Sequence, residues 1–86
     1  MDIGVEISLY PLTSEFAPYI HAFIDGLRQD GRLRVETSSM STQVFGSYAD
    51  VFAVLQGRLQ VTFEQLAADG HKAVLVMKVM GPLSSP

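Results

Sequence analysis

The chain has 86 residues and no cysteine, which makes one domain the expected organisation and excludes disulfides and thiolate metal sites. Its net charge of −3, from six basic and nine acidic residues, argues against a generic nucleic-acid binder, whose affinity depends on neutralising phosphates. No apolar run approaches the roughly 20 residues that span a bilayer, and the first three residues lack the features of a secretory signal, so we expect a cytoplasmic protein without membrane insertion.

The first predicted element is a strand at the start of the chain. Apolar and other side chains alternate there with a period of two, which is typical of a half-buried strand. The apolar set is Ile3, Val5, Ile7 and Leu9, and the other set is Gly4, Glu6, Ser8 and Tyr10. Pro11 has no N–H and ends the pairing. One face therefore supplies core, and the other carries a carboxylate, a hydroxyl and a phenol towards a ligand or another subunit.

An amphipathic helix is predicted next. Its apolar residues recur at helical spacing and are Phe16, Tyr19, Ile20, Phe23, Ile24 and Leu27. Residues 13–15 (Thr-Ser-Glu) offer cap candidates. Pro18 must lie in the first turn, where a missing N–H is tolerated, so the helix begins between Ser14 and Ala17. Residues 30–31 (Asp-Gly) provide the stop.

Two short strands follow this helix. In residues 32–37 apolar and charged side chains alternate, and the outward charges are typical of an edge strand. Ser38 and Ser39 are turn candidates. Residues 40–46 form the third predicted strand, which is richer in hydroxyl groups than in aliphatic side chains.

A second helix and a last strand complete the pattern. The helix begins at Ser47, with Asp50 completing a shortened capping box, and ends at Gly70. Its predicted buried stripe comprises Tyr48, Val51, Phe52, Leu55, Leu59, Phe63 and Leu66. Residues 71–80 form a strand that is apolar on both faces in its centre, and therefore interior to a sheet or covered by a partner. Residues 81–86 have no packing pattern and are predicted to be a C-terminal tail, which leaves residues 1–80 as the single domain.

The element order β-α-β-β-α-β predicts a ferredoxin-like α+β fold. Two right-handed crossovers joined by a hairpin place both helices on one face of a four-stranded antiparallel sheet, with the first and third strands side by side at its centre. The opposite face is left uncovered, with Tyr10, Phe45, Val74 and Val76 expected on it. Because 48% of the residues are hydrophobic, more than a lone domain of this size readily hides, we expect self-association.

Two segments of the chain resemble a known family. One is Val-Glu-Ile-Ser-Leu-Tyr-Pro-Leu at 5–12, and the other is Met-Ser-Thr-Gln-Val-Phe-Gly at 40–46, followed by Asp-Val-Phe at 50–52. In this order, over nearly the whole chain, they resemble the small thiamine-binding domains of the YkoF-like family. The resemblance implies a ferredoxin-like domain that assembles through its sheet faces into a homodimer or tetramer. It also implies non-catalytic binding of thiamine or its hydroxymethylpyrimidine half, in thiamine transport, salvage or homeostasis.

The same resemblance implies a binding site. Ser8 and Tyr10 match the polar side of the family's first-strand motif, Thr42 matches its third-strand hydroxyl, and Glu6 matches an acid of its single-domain branch. Phe45 departs from the charged residue usual at that position. An aminopyrimidine offers ring nitrogens and an exocyclic amine to carboxylates and hydroxyls, while an aromatic or methionine side chain packs on its plane. The candidate ligand-binding residues, with the expected rim positions last, are Glu6, Ser8, Thr42, Tyr10, Thr37 and Met40.

Other interpretations stay open at this point. The same residues suit the interface of a structural or regulatory oligomer that binds a different metabolite between subunits. An acyl phosphatase on this fold needs a phosphate-binding loop and an asparagine, and the chain has no asparagine. Neither His21 nor His71 has a second ligand at metal spacing. We therefore expect no enzyme activity, no metal, no cofactor and no nucleic-acid partner.

Overall fold

The computed structural model describes residues 1–83, which form one four-stranded sheet and two helices. The elements are β1 (Asp2–Pro11), α1 (Ala17–Gln29), β2 (Arg34–Thr37), β3 (Thr42–Ser47), α2 (Tyr48–Ala68) and β4 (Ala73–Leu83). All neighbouring strands are antiparallel, in the order β2-β3-β1-β4. This confirms the predicted ferredoxin-like α+β fold, with β1 and β3 at the centre and β2 at an edge. Within the described part of the chain, neither helix is long and apolar enough to cross a membrane.

The hydrophobic core lies between the helices and one face of the sheet. The alternation predicted for β1 is confirmed, because its four apolar side chains are 8% exposed or less. They pack in one cluster with residues of both helices and of the central strand β3. The partners from those elements are Phe23, Leu27, Val44, Val51, Val54 and Leu55. Both helices therefore cover the same face, and the other face is left to solvent.

The ends of α1 agree with the sequence patterns in part. The helix begins at Ala17 with Pro18 in its first turn, and Gly31 follows it with a φ of +82°. The predicted hydroxyl cap is wrong, because the N-cap position is Phe16 and no side chain caps the helix there. Phe16 is also 52% exposed, although its spacing placed it in the buried stripe.

The start of α2 has the predicted serine cap. The Oγ of Ser47 accepts a hydrogen bond of 3.2 Å from the backbone N–H of Asp50. This bond satisfies one of the N–H groups that the first turn of a helix leaves without a partner.

We expect Ser47→Ala to destabilise the domain by about 1 kcal/mol, because the capped N–H then has only water as its acceptor. Urea unfolding followed by circular dichroism measures the change. Ser47→Asp keeps an acceptor and adds a favourable charge at the helix N-terminus, so it should retain the stability. Equal losses in the two variants would contradict the assignment of the cap.

The last strand differs most from its prediction. β4 runs to Leu83, which pairs with Asp2, so the strand continues three residues beyond its predicted end and takes in part of the predicted tail. Residues 84–86 lie outside the described residues. β4 is an edge strand, so of the two predicted explanations for its apolar character, an interior position is wrong. Its exposed apolar side chains are Val74, Val76, Met77, Val79 and Met80, each at least 43% exposed.

Candidate functional site

The polar row of β1 lies on the open face of the sheet, the face without helices. Glu6 is opposite Gln43 of β3 and Lys78 of β4. One carboxylate oxygen of Glu6 accepts a hydrogen bond of 3.2 Å from the Oγ of Ser41, and the other lies 3.8 Å from the Nζ of Lys78. Ser8 is on the same face. Glu6 is thus held by groups of the protein itself.

Thr42 lies on the other face of the sheet. It is opposite Ile7 of β1 on one side and Thr37 of β2 on the other, and residues directly opposite in an antiparallel pair share a face. Since Ile7 belongs to the core, Thr42 and Thr37 point to the helix side. The structure therefore places Thr42 on the opposite face of the sheet from Glu6 and Ser8. The period of two predicts which residues of one strand share a face. Which residues of two neighbouring strands share a face depends on the register between the strands.

The structure instead brings three of the predicted residues to a pocket at the end of β1. This end pocket has a volume of about 440 Å³, within the roughly 300–1,000 Å³ of small-molecule sites. It lies between the first half of α1 and the β2–β3 turn, residues 38–41. Its lining residues are Ile7, Leu9, Tyr10, Pro11, Phe16, Ile20, Ile24, Ser38, Ser39, Met40, Ser41 and Thr42.

The walls of the end pocket differ in chemistry. The strand and helix supply apolar side chains, and the β2–β3 turn supplies hydroxyl groups. That turn is closed on itself, because Ser38 Oγ accepts hydrogen bonds of 3.2 Å from the N–H groups of both Met40 and Ser41. Phe16 and Met40 are 52% and 85% exposed. Two large apolar side chains thus line the pocket without being buried in the core.

Thr42 is the buried polar residue of this pocket. Its side chain is 6% exposed, and within residues 1–83 its hydroxyl makes no hydrogen bond to the protein. No fully buried side-chain oxygen or nitrogen in that range lacks a partner, so the Thr42 hydroxyl is reached from the pocket that it lines. A hydroxyl that is open to a pocket and not bonded to the protein is free to donate a hydrogen bond to a bound molecule or to accept one from it.

The open face carries a smaller cleft of about 280 Å³ around Glu6, Phe45 and Lys78. Phe45 already contacts its neighbours there. One ring carbon lies 2.9 Å from the position that a Cβ would take on Gly4, and the guanidinium of Arg34 lies 4.2 Å from the ring centroid. The aromatic ring is therefore engaged within the sheet and offers little surface for stacking a heterocycle.

A polar pocket of about 420 Å³ lies between the start of α1 and the end of α2. Tyr19 donates a hydrogen bond of 2.5 Å to Asp69. The ring of His71 lies edge-on to the ring of Tyr19, with 6.2 Å between the ring centroids. This hydrogen bond to the Asp69 carboxylate raises the pKa of the Tyr19 phenol above its ordinary value. These groups tie the two helix ends together, and nowhere in residues 1–83 do three metal-ligating side chains converge.

The sequence patterns missed most of the end pocket. The helical spacing assigned Phe16, Ile20 and Ile24 to a buried helix stripe. Ser38 was predicted only to be a turn residue. The topology could have located the pocket, because a crossover helix begins beside the carboxyl end of the strand before it. In an antiparallel sheet of this order, the β2–β3 turn reaches that same end.

The fold and the end pocket define a single ferredoxin-like domain with a cavity of small-molecule size and an uncovered sheet face. The chain belongs to the YkoF-related family, whose model matches residues 2–80. This confirms the family resemblance seen in the strand motifs. No curated protein sequence matched the chain.

Solved structures share the fold at low sequence identity. A hypothetical protein from Methanocaldococcus jannascii is 18% identical with a TM-score of 0.78, covering 99% of this chain and 84% of that one. A candidate thiamine biosynthesis or salvage protein from Thermotoga maritima is 14% identical with a TM-score of 0.81, covering 95% and 85%. A protein from Streptococcus pneumoniae is 14% identical with a TM-score of 0.81, covering 96% and 89%. At these low identities the structural similarity shows a shared fold only.

Proposed function

We propose that this protein binds thiamine or its hydroxymethylpyrimidine half in the end pocket, without catalysis. The observation that carries the proposal is the hydroxyl of Thr42, a residue only 6% exposed, which opens to the end pocket and has no hydrogen-bond partner in residues 1–83. Membership of the YkoF-related family supports the choice of ligand. So does the thiamine-related description of the Thermotoga maritima protein.

The pocket matches the chemistry of an aminopyrimidine. The apolar side chains of Phe16, Ile20 and Ile24 suit the two faces of a flat ring, and the Thr42 hydroxyl suits a ring nitrogen or the exocyclic amine. Met40 stands at the pocket with an exposed, flexible thioether. Among the six predicted site residues, we therefore keep Tyr10, Met40 and Thr42 as ligand contacts.

Glu6 takes a different role in this proposal. Its carboxylate accepts the hydrogen bond from Ser41, a residue that also lines the end pocket. Glu6 therefore positions the turn from the open face of the sheet and does not touch the ligand. Ser8 stays on the open face, away from the pocket.

Calorimetric titration tests the site. Thr42→Val removes the hydroxyl at nearly constant volume, and the loss of one hydrogen bond should weaken hydroxymethylpyrimidine and thiamine binding about five- to tenfold. Ser8→Ala removes a hydroxyl from the open face and should leave the affinity unchanged. The opposite pattern would move the site to the open face, and an absence of heat with either ligand would overturn the proposal.

We also propose that the chain works as a homo-oligomer. Support comes from the uncovered sheet face and from β4, an edge strand of 11 residues with Lys78 as its one charged side chain. A long apolar edge strand offers unpaired backbone groups to another chain, and a second copy presents the same surface. The same surface also supports the alternative function, which is a structural or regulatory oligomer that binds a different metabolite. Association without any heat from thiamine or hydroxymethylpyrimidine would favour it.

A further inference from the structure

The end pocket has a cation beside it. Arg28 lies one helical turn after Ile24, which lines the pocket. Its Nη2 donates a hydrogen bond of 3.1 Å to the Oγ1 of Thr37. Thr37 directly precedes Ser38, the first residue of the β2–β3 turn, so the guanidinium is held where the turn begins.

No carboxylate neutralises Arg28 within residues 1–83. The two basic residues that follow Arg28 in the chain are paired, Arg32 with Asp30 at 2.5 Å and Arg34 with Glu36 at 2.8 Å, and the side chain of Arg58 packs against Gly26 of α1. The bond to Thr37 engages one N–H of Arg28, and the remaining N–H groups keep their capacity to donate. A guanidinium with free donors matches the oxygens of a phosphate group and binds them in a bidentate manner.

We propose that the end pocket prefers a ligand that carries a phosphate ester. Arg28 binds the phosphate, the hydroxyl of Ser39 in the β2–β3 turn adds a donor, and Thr37 is a positioning residue for the guanidinium. This inference rests on the proposed function, because it places the heterocycle of the same ligand in the pocket beneath.

Calorimetry with two probes tests the inference, hydroxymethylpyrimidine and its monophosphate. The monophosphate should bind the wild-type chain about tenfold more tightly, as expected for a charge-assisted hydrogen-bonded pair. Arg28→Gln should abolish this advantage and leave the affinity for the unphosphorylated probe unchanged. Arg34→Gln makes the same change of charge on the opposite face of the sheet and should keep the advantage.

The positioning role of Thr37 has its own test. Thr37→Val should remove part of the phosphate advantage, and Thr37→Ser, which keeps the hydroxyl, should restore it. Equal affinity of the two probes for the wild-type chain would overturn this inference and leave the proposed function standing. Equal loss of the advantage in Arg28→Gln and Arg34→Gln would also overturn it, since the effect would then come from net charge. Failure of both probes to bind would overturn the proposed function as well.

Discussion

Leu27→Ala is expected to destabilise the domain by about 2–5 kcal/mol, the range for removing a fully buried leucine side chain. Leu27 is 0% exposed and belongs to the cluster that joins α1 to the sheet. The loss combines the transfer of the missing methyl groups and the cavity that they leave. A small domain has only about 5–15 kcal/mol of stability in total, so a large share of it depends on this residue.

Urea unfolding measures this effect as a lower midpoint with an unchanged slope. Leu12→Ala is the matched control, because Leu12 is 60% exposed and its truncation should change the stability by about 0.5 kcal/mol or less. Equal losses in the two variants would contradict the placement of the core. Leu27 also holds α1 against the sheet, and α1 forms one wall of the end pocket. We therefore expect ligand affinity to fall together with stability in Leu27→Ala.

Periodicity within single elements predicted the fold. The alternation in β1 and the helical spacing of Phe23 and Leu27 are consequences of burial on one face, which repeats regularly along an element. The element order then limited the topology to a few arrangements. These features are properties of local sequence, and the structure confirms them.

Features set by contacts between distant elements were not predictable in the same way. The face of Thr42 depends on the register between β1 and β3, which a hairpin turn fixes only locally. In α2 the helix buries Thr62 and leaves Phe63 41% exposed. The Thr62 hydroxyl donates a hydrogen bond of 2.9 Å to the carbonyl of Arg58, so its burial leaves no unpaired polar group.

The extension of β4 has a similar explanation. Residues 81–86 were predicted to be a tail because they show no packing pattern. Pro82 lacks an N–H, but an edge strand tolerates proline where no donor is needed. The pairing of Leu83 with Asp2 then carries the strand past it. The end pocket escaped prediction for a related reason, since its walls come from β1, α1 and the β2–β3 turn, which are separate in the sequence.

Val76→Lys combined with Val79→Lys is expected to weaken self-association by roughly a hundredfold or more. The two valines are 48% and 47% exposed and lie on opposite faces of β4, so each monomer can keep its fold with the charged ends in water. Pairing of two β4 edges would bring the lysine side chains of the two copies next to one another, and like-charge juxtaposition costs several kcal/mol. Each 1.4 kcal/mol is about tenfold in affinity. Charged side chains on an edge strand are the usual means by which monomers avoid such pairing.

Sedimentation equilibrium over a range of concentrations measures this effect. The wild-type chain should sediment as a dimer or larger assembly, and the double variant as a monomer with an unchanged circular dichroism spectrum. Val61→Lys is the control, because Val61 is similarly exposed, at 54%, but lies on α2. This variant should associate like the wild type. A double variant that associates as strongly as Val61→Lys would show that β4 is not the contact surface. A wild-type chain that is monomeric at high concentration would contradict the proposed homo-oligomer. The apolar edge of β4 would then need another partner.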